Sequence, residues 1–469
     1  MNVTDLKRQL ESVHQSHLLR FWDTLSIEQQ QRLAGQIEQC DFPQLATVWT
    51  SSTRSPDASP HKSTRPDIAR APHDVVRQPK TSADHASWSH ATTVGAAAIR
   101  AGRVAVITVA GGQGTRLGFD KPKGLFPIGP ATDRSLFQNF AEQILARSRR
   151  YSSSIAWLIM TSAATHSETV AFFESKRYFG LEPTSVTFFQ QGSLPALDAR
   201  TGHVLMSSRD ELALSPDGHG GLIAALKSAG LLDQLARDGV QHLYYHQVDN
   251  PTAIVPDPAL IGWHVLRQSQ MTTNVVQKVS PTERMGVLVD LNGRTEIIEY
   301  SELNPEQAAR RNETGQWIFW AGNTATHVLD VAFLAAIADS ASGLPLHVAH
   351  KNVPFLDDNG HLVRSHDAQH PNAIKLERFI FDALPMADRT LIVEGDRARE
   401  FNPVKNADGA DSPTTARAAL DRIAREWASA AGLELPDGQP IELSPLMALD
   451  AAELAEKVQR GEVTVASFS

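Results

Sequence analysis

The sequence predicts an α/β protein: a central domain with a mostly parallel sheet, an N-terminal helical segment and a small C-terminal α+β domain. Three observations carry this. Short apolar runs rich in β-branched residues recur at VAVITVA (104–110), SIAWLIMTS (154–162), VTFFQQG (186–192), HLYYHQVDN (242–250) and TTNVVQK (272–278). Such runs suit strands buried on both faces, the condition of a parallel sheet. Helical stretches such as LFQNFAEQILARSRR (136–150) separate several of them, and this alternation marks the α/β class. Finally, the pattern changes character before residue 95 and again near residue 390.

Taken in order, residues 1–50 read as helical, with Leu6, Leu10, Val13 and Leu18 at roughly helical spacing. Ser26 is placed to cap a second helix, with Gln29 three residues on and Leu33 and Ile37 on one face. Residues 51–94 are dominated by Ser, Thr, Pro and His, with few large apolar side chains. That composition buries too little surface to offset chain entropy, so a linker is expected there. Residues 95–390 form the expected central domain and 391–469 the C-terminal one. In the latter, LIVEGDR (391–397) reads as a strand, and so does IELSP (441–445). Ser412 and Pro413 open a helix that should stop at Gly432.

Bulk properties exclude several classes. The 469 residues carry a net charge of −9, so no nucleic-acid surface is indicated. Cys40 is the single cysteine, and no apolar run approaches the ~20 residues of a spanning helix. The N-terminus is polar and periodic rather than signal-like, and a cytoplasmic location without membrane partners is expected. The oligomeric state is left open.

The strongest chemical signal is VAGGQGTRLGFDKPKGLFPIG (109–129), where a buried strand runs into a glycine-rich turn. Glycines permit positive φ and close approach to a ligand, and successive amides can form an anion nest. Arg116 and Lys123 add a fork and a point charge suited to a triphosphate. The spacing is neither that of a Walker A loop nor G-x-G-x-x-G. At the end of another strand, QVDN (247–250) places Asp249 where ligands of parallel sheets bind. Asp249 either holds Mg²⁺ or caps the following turn. SPDGHGGLIAAL (215–226) is either a ligand-facing helix start or an ordinary junction. QQG (190–192), IIEYSEL (297–303), AGN (321–323) and FNPVKNADG (401–409) are weak individually.

Together these motifs resemble the eukaryotic-type UDP-N-acetylhexosamine pyrophosphorylases, within the UTP–sugar-1-phosphate uridylyltransferase family. The resemblance runs from HLLRFWDTL (17–25) through the glycine loop, IMTSAATHSETVAFF, RYFGL, FFQQGSLPA, PDGHGG, VDN, PTERMGVL, EYSEL, AGNTATH and NAIKLERFIFD to FNPVKNADG and SPTTAR. It implies a Rossmann-like nucleotidyltransferase domain that uses Mg²⁺, takes UTP and a sugar-1-phosphate, and releases UDP-sugar and pyrophosphate. It also implies roles. Ala110, Gly111, Gly112, Gln113, Gly114, Thr115 and Arg116 would hold UTP, and Arg116, Lys123 and Lys405 would act on its phosphates. Gln191 and Gly218 would contact the uracil–ribose end, and Asp249 would carry the metal. Glu299, Tyr300 and Asn323 would hold the sugar, with His219, Phe379 and Phe381 shaping its pocket. One departure stands out: where the acetamido-sugar enzymes typically have Asn, this chain has His219, and GHG is more similar to the glucose-type members. N-acetylglucosamine-1-phosphate is the expected acceptor, with glucose-1-phosphate or a broad set of sugars as the alternative. A nucleotide-sugar-binding protein without turnover is the alternative from another class. The simultaneous presence of Arg116, Lys123, Asp249 and Lys405 argues against it.

Overall fold

Every one of the five apolar runs contains a strand, and all five strands join one 10-stranded sheet. The computed structural model describes residues 3–54, 65–341, 343–364 and 370–468. Along the sheet the order is Val75–Val76, Thr390–Glu394, Met271–Gln277, Ala321–Asp330, His242–Gln247, Val104–Val109, Trp157–Thr161 and Val186–Gln190. Neighbours pair in parallel except at Ala321–Asp330, which runs antiparallel to both its partners. A hairpin, Val287–Leu291 with Arg294–Ile298, hangs from that strand. The fold is therefore α/β with a mostly parallel sheet. Its central strands are apolar on both faces because both faces are covered: in Trp157–Thr161 every residue is buried.

Two elements differ from expectation. Thr390–Glu394, placed by the sequence in the C-terminal domain, sits inside the large sheet, parallel to Met271–Gln277. Its last four residues are buried, which requires cover on both sides. IELSP forms no strand; Ile441 instead packs into a small apolar cluster with Ala424, Ala428, Leu454 and Phe468. The helix before that cluster, Pro413–Ala430, has the expected Ser412 cap, and Gly432 beyond its end adopts φ 82°.

The expected linker also contains order. Ten of its residues, 55–64, lie outside the described residues, but Ser82–Arg100 is a helix opened by a capping box between Thr81 and Asp84. Its buried face is Ala91, Gly95, Ala98 and Ile99, and it packs on the helix Pro258–Leu266. A Cβ on Gly95 would lie 1.8 Å from the Pro258 carbonyl oxygen, and one on Gly262 1.7 Å from that of Ala91. Small residues bring the two backbones together, and Trp88 meets Trp263 edge-on at 6.0 Å between ring centroids, so the contact needs few of the large side chains whose scarcity suggests a linker.

The described residues group into two compact units, and the grouping differs from a contiguous division of the chain. One comprises those within Met1–Ser63, Gln191–Ala224 and Ser342–Asp382; the other comprises those within Thr64–Gln190, Ala225–Ala341 and Ala383–Ser469, including the large sheet. In the first, Leu6, Leu10, Leu18, Leu33 and Ile37 of the N-terminal helices share a core with Leu197, Val204, Met206, Ile374 and Leu376. A 50-residue helical segment cannot close a core alone, and these later stretches supply the other side. The Ser26–Gln29 capping box forms as the spacing predicts. No helix among the described residues is long and apolar enough to cross a membrane.

Candidate active site

In the sheet-bearing unit, the Val104–Val109 strand ends at buried Ala110, whose N–H donates to Met160. The glycine loop follows and is closed from within: the Gly114 N–H donates to the Lys121 carbonyl and the Lys123 N–H to that of Gly112. Ser162, on the adjoining strand's exit, donates its hydroxyl to the Gly111 carbonyl at 2.8 Å. Among the described residues, the N–H groups of Gly111, Gly112 and Gln113 make no hydrogen bond, which leaves them available to an anion. The glycines work differently from expectation. Of Gly111, Gly112, Gly114 and Gly118, only Gly118 has positive φ, at 68°. Gly114 is required by packing, because a Cβ would sit 2.8 Å from Phe119. Thr115 and Arg116 are exposed on a short helical turn, and Arg116 has no carboxylate partner among the described residues.

Two positions past the His242–Gln247 strand, the Asp249 carboxylate meets Lys123 at 3.0 Å. Burial works to raise the Asp249 pKa, but Lys123 and Lys405 beside it outweigh burial and hold it below the ordinary carboxylate range. Lys123, expected on the phosphates, pairs here with the carboxylate expected to carry the metal. Backbone and side-chain bonds fix this corner. The Val404 N–H donates to the Asp249 carbonyl. Asn250 donates to the Glu400 carbonyl at 2.6 Å and accepts from the Asn402 N–H at 3.1 Å. Asn250 and Asn402 thereby lock the loop carrying Lys405 against the turn carrying Asp249. Sequence reasoning missed both roles, although both residues lie in quoted motifs.

The same unit holds the expected sugar-binding residues. The hairpin Val287–Leu291/Arg294–Ile298 delivers Glu299, and Asn323 lies on Ala321–Asp330 at the edge of a bulge. They converge on Gly286: the Asn323 N–H donates to its carbonyl, and the Glu299 carboxylate lies where a Gly286 Cβ would stand, 2.7 Å away. The Asn323 side chain accepts from the Ala325 N–H at 2.9 Å. Tyr300 is 46% exposed, so it is not a core residue.

The other unit carries Gln191, Gly218, His219, Phe379 and Phe381. Gln191 reaches the buried Asp217 carboxylate at 3.5 Å. Gly192 and Gly221 make room for that carboxylate, since a Cβ on either would stand 2.7 Å and 2.1 Å from it. Gly218 has φ 84°, and a Cβ there would meet the Arg378 carbonyl oxygen at 2.4 Å. The glycines of PDGHGG thus admit the strand segment leading to Phe379. His219 Nδ1 accepts from the Ile380 N–H at 3.2 Å, and its ring stacks on Phe379 at 5.3 Å between centroids. Burial, with His347 nearby, pushes its pKa down to about 4. At neutral pH the ring is therefore uncharged, with its proton on Nε2.

The chain from residue 61 to 415 matches the model of the UTP–glucose-1-phosphate uridylyltransferase family. It is 37% identical over 454 residues to the UDP-N-acetylhexosamine pyrophosphorylase-like protein 1 of Xenopus tropicalis, covering 93% of this chain and 87% of that one. It is 34% identical over 471 residues to the UDP-N-acetylglucosamine pyrophosphorylase of Saccharomyces cerevisiae, covering 97% of each. Among solved structures, that of the uridine diphosphate N-acetylglucosamine pyrophosphorylase from Trypanosoma brucei, in complex with inhibitor, superimposes with a TM-score of 0.82 at 27% identity, over 98% of this chain and 95% of that one. The α/β fold with its mostly parallel sheet, together with these matches, is that of a nucleotidyltransferase. This chain belongs to the UTP–sugar-1-phosphate uridylyltransferase family.

Proposed function

We propose that the chain joins UTP to N-acetylglucosamine-1-phosphate, forming UDP-N-acetylglucosamine and pyrophosphate with Mg²⁺ as its metal. The observation that carries the reaction is the Asp249 carboxylate, kept ionised by Lys123 and Lys405 at a strand end beside the glycine loop. The relatives named for the acetamido sugar support the choice of acceptor. Asp249 fits Mg²⁺ chemically: it is an ionised oxygen donor, and this ion takes one or two carboxylates with phosphate oxygens and water completing its shell. When bound, the ion supplies charge neutralisation across the phosphates.

In this reading, an ionised oxygen of the sugar-1-phosphate attacks the α-phosphorus of UTP. The new O–P bond forms as the bond to the β-phosphate oxygen breaks, and pyrophosphate leaves with the electron pair. The attacking oxygen already carries its charge, so no side chain needs to remove a proton. Catalysis is positioning plus charge neutralisation. The free amides of Gly111, Gly112 and Gln113 cradle phosphate oxygens, Arg116 meets charge growing on the departing pyrophosphate, and Lys123 and Lys405 flank the reacting phosphates. Gln191 and the Gly218 backbone are assigned to the uracil end, and Glu299, Tyr300 and Asn323 to the sugar.

The test is pyrophosphate release with UTP, ATP and GTP against a panel of sugar-1-phosphates. UTP with N-acetylglucosamine-1-phosphate is expected to give the highest kcat/KM. Equal turnover of the three nucleotides would overturn the base assignment, and a preference for glucose-1-phosphate would overturn the acceptor.

His219 provides a sharper check on the acceptor. A neutral ring whose Nδ1 is engaged offers one donor, Nε2–H, whereas an Asn amide both donates and accepts. His219→Asn is expected to raise the preference for N-acetylglucosamine-1-phosphate over glucose-1-phosphate. One hydrogen bond of roughly 0.5–1.5 kcal/mol corresponds to a change of about twofold to just over tenfold in relative kcat/KM. An unchanged ratio would remove the imidazole from sugar selection and leave it the packing role it has against Phe379.

A further inference from the structure

The strand that leads to Asp249 begins at His242, and a separate group of side chains gathers at that start. His242 pairs in register with Asp330, the last residue of the antiparallel strand Ala321–Asp330. His242 Nδ1 lies 2.7 Å from Asp330 Oδ1. His264, from the helix Pro258–Leu266, brings Nε2 to 2.9 Å from the same oxygen. The three donor atoms all lie within 4.8 Å of one another. Among the described residues this is the one such trio of His, Cys, Asp or Glu side chains.

Three features make it more than a chance cluster of polar groups. All three residues sit on regular elements that pack together, so their donor atoms are pre-positioned rather than carried on loops. His264 is 1% exposed, and its other nitrogen is fixed by Thr272 Oγ1 at 2.8 Å. That is the outer hydrogen bond that orients imidazole ligands in metal centres. Asp330 occupies the position before the helix Val331–Asp339 but makes no side-chain cap to it. Its carboxylate is committed to the two imidazoles, at the loss of a favourable cap.

We propose that His242, His264 and Asp330 form a second divalent-metal site, of the zinc class, distinct from the Mg²⁺ site assigned to Asp249. Two imidazoles and one carboxylate are a donor set for Zn²⁺, Co²⁺ or Ni²⁺, whereas Mg²⁺ favours an all-oxygen shell. Tetrahedral ligands at zinc stand roughly 3.3 Å apart for bonds of about 2.0 Å. The present separations of 2.7 and 2.9 Å need only a small opening, which the Asp330 side chain, 30% exposed, can provide. Water on that exposed side completes the shell. His242 opens a six-residue strand, so about 16 Å of extended chain separates it from Gln247 and the two ions do not share ligands. The ion staples the ends of two strands to the helix that covers them.

The experiment uses the tag-free full chain, stripped with a chelator and dialysed against Zn²⁺. One zinc per chain is expected, together with a higher Tm in Zn²⁺ than in chelator. His242→Ala and Asp330→Asn should lose both. Thr272→Val should bind roughly 10- to 100-fold more weakly, and Asp249→Asn should still bind one zinc. Mg²⁺-dependent pyrophosphate release by His242→Ala reports that it is folded; His242→Gln replaces it if it is not. Absence of stoichiometric zinc would overturn the proposal. So would equal uptake by wild type and His242→Ala, which would mark scattered histidine binding and leave the trio a hydrogen-bonded carboxylate–imidazole cluster.

Discussion

Asp249→Asn is expected to lower kcat by roughly 100-fold or more, about 2.7 kcal/mol of lost transition-state stabilisation at 1.36 kcal/mol per tenfold, and to raise the Mg²⁺ concentration needed for half-maximal rate. The substitution preserves shape and can still accept a hydrogen bond from Lys123, but it removes the negative charge that Lys123 and Lys405 now share. Two readings of Asp249 make different forecasts. If it binds the metal, both kcat and the Mg²⁺ dependence change. If it only anchors Lys123, kcat falls while half-saturation by Mg²⁺ stays where it was. The measurement is initial rate against Mg²⁺ concentration at saturating UTP, with circular dichroism to confirm the fold. Wild-type turnover at limiting Mg²⁺ would dismiss both. The shift of the Asp249 pKa gives the pH dependence a sign. Because the lysines depress it, the carboxylate stays ionised as pH falls through the ordinary carboxylate range, so acid loss of activity should not follow an unperturbed aspartate. Its contribution to stability is likewise present above the unfolded-state pKa and is lost only as pH falls through the lower folded-state value.

How far the sequence reveals this site depends on whether the information is local. The strands were legible because burial on both faces leaves an uninterrupted apolar run, as in Val104–Val109. The glycine loop and Asp249 were legible because they directly follow such runs. Ser82–Arg100 is not: most of its buried face is Ala and Gly, which carry little periodic signal yet allow the backbones to meet at Gly95 and Gly262. Ala321–Asp330 buries Thr324, Thr326 and His327, so its polar composition hid a strand at the centre of the sheet. Nor was the clamp by Asn250 legible, since its partner Glu400 lies 150 residues away. Gly114 stands out in the sequence as a loop glycine for positive φ and ligand approach, and Gly221 as part of a helix start, and neither reading is the physical reason. What each needs is the absence of a Cβ against Phe119 or Asp217, a fact of packing rather than of φ.

Arg116→Ala is expected to lower kcat by roughly 100- to 1,000-fold, about 2.7–4 kcal/mol, with a much smaller change in KM for UTP. The structure isolates this residue unusually well. It is exposed, it has no carboxylate partner among the described residues, and its loop is held by backbone bonds on either side: Gly114 to Lys121, Leu117 to Gly114 and Gly118 to Thr115. Removing the guanidinium therefore leaves the turn intact, and stability should change by no more than about 0.5 kcal/mol, as for other exposed side chains. A rate loss without a stability loss assigns the effect to the reaction itself. The split between kcat and KM then says where along the reaction Arg116 acts. Charge on the β-phosphate oxygen grows as its bond to the α-phosphorus breaks, so a cation placed there stabilises the transition state more than bound UTP. Arg116→Lys keeps the charge but loses the planar fork, and should fall between wild type and Ala. The measurements are steady-state kinetics in the forward direction and thermal unfolding of both variants. An unchanged kcat in Arg116→Ala would show that the guanidinium is a solvated turn residue, and the burden of neutralising the pyrophosphate would pass to Lys123, Lys405 and the metal.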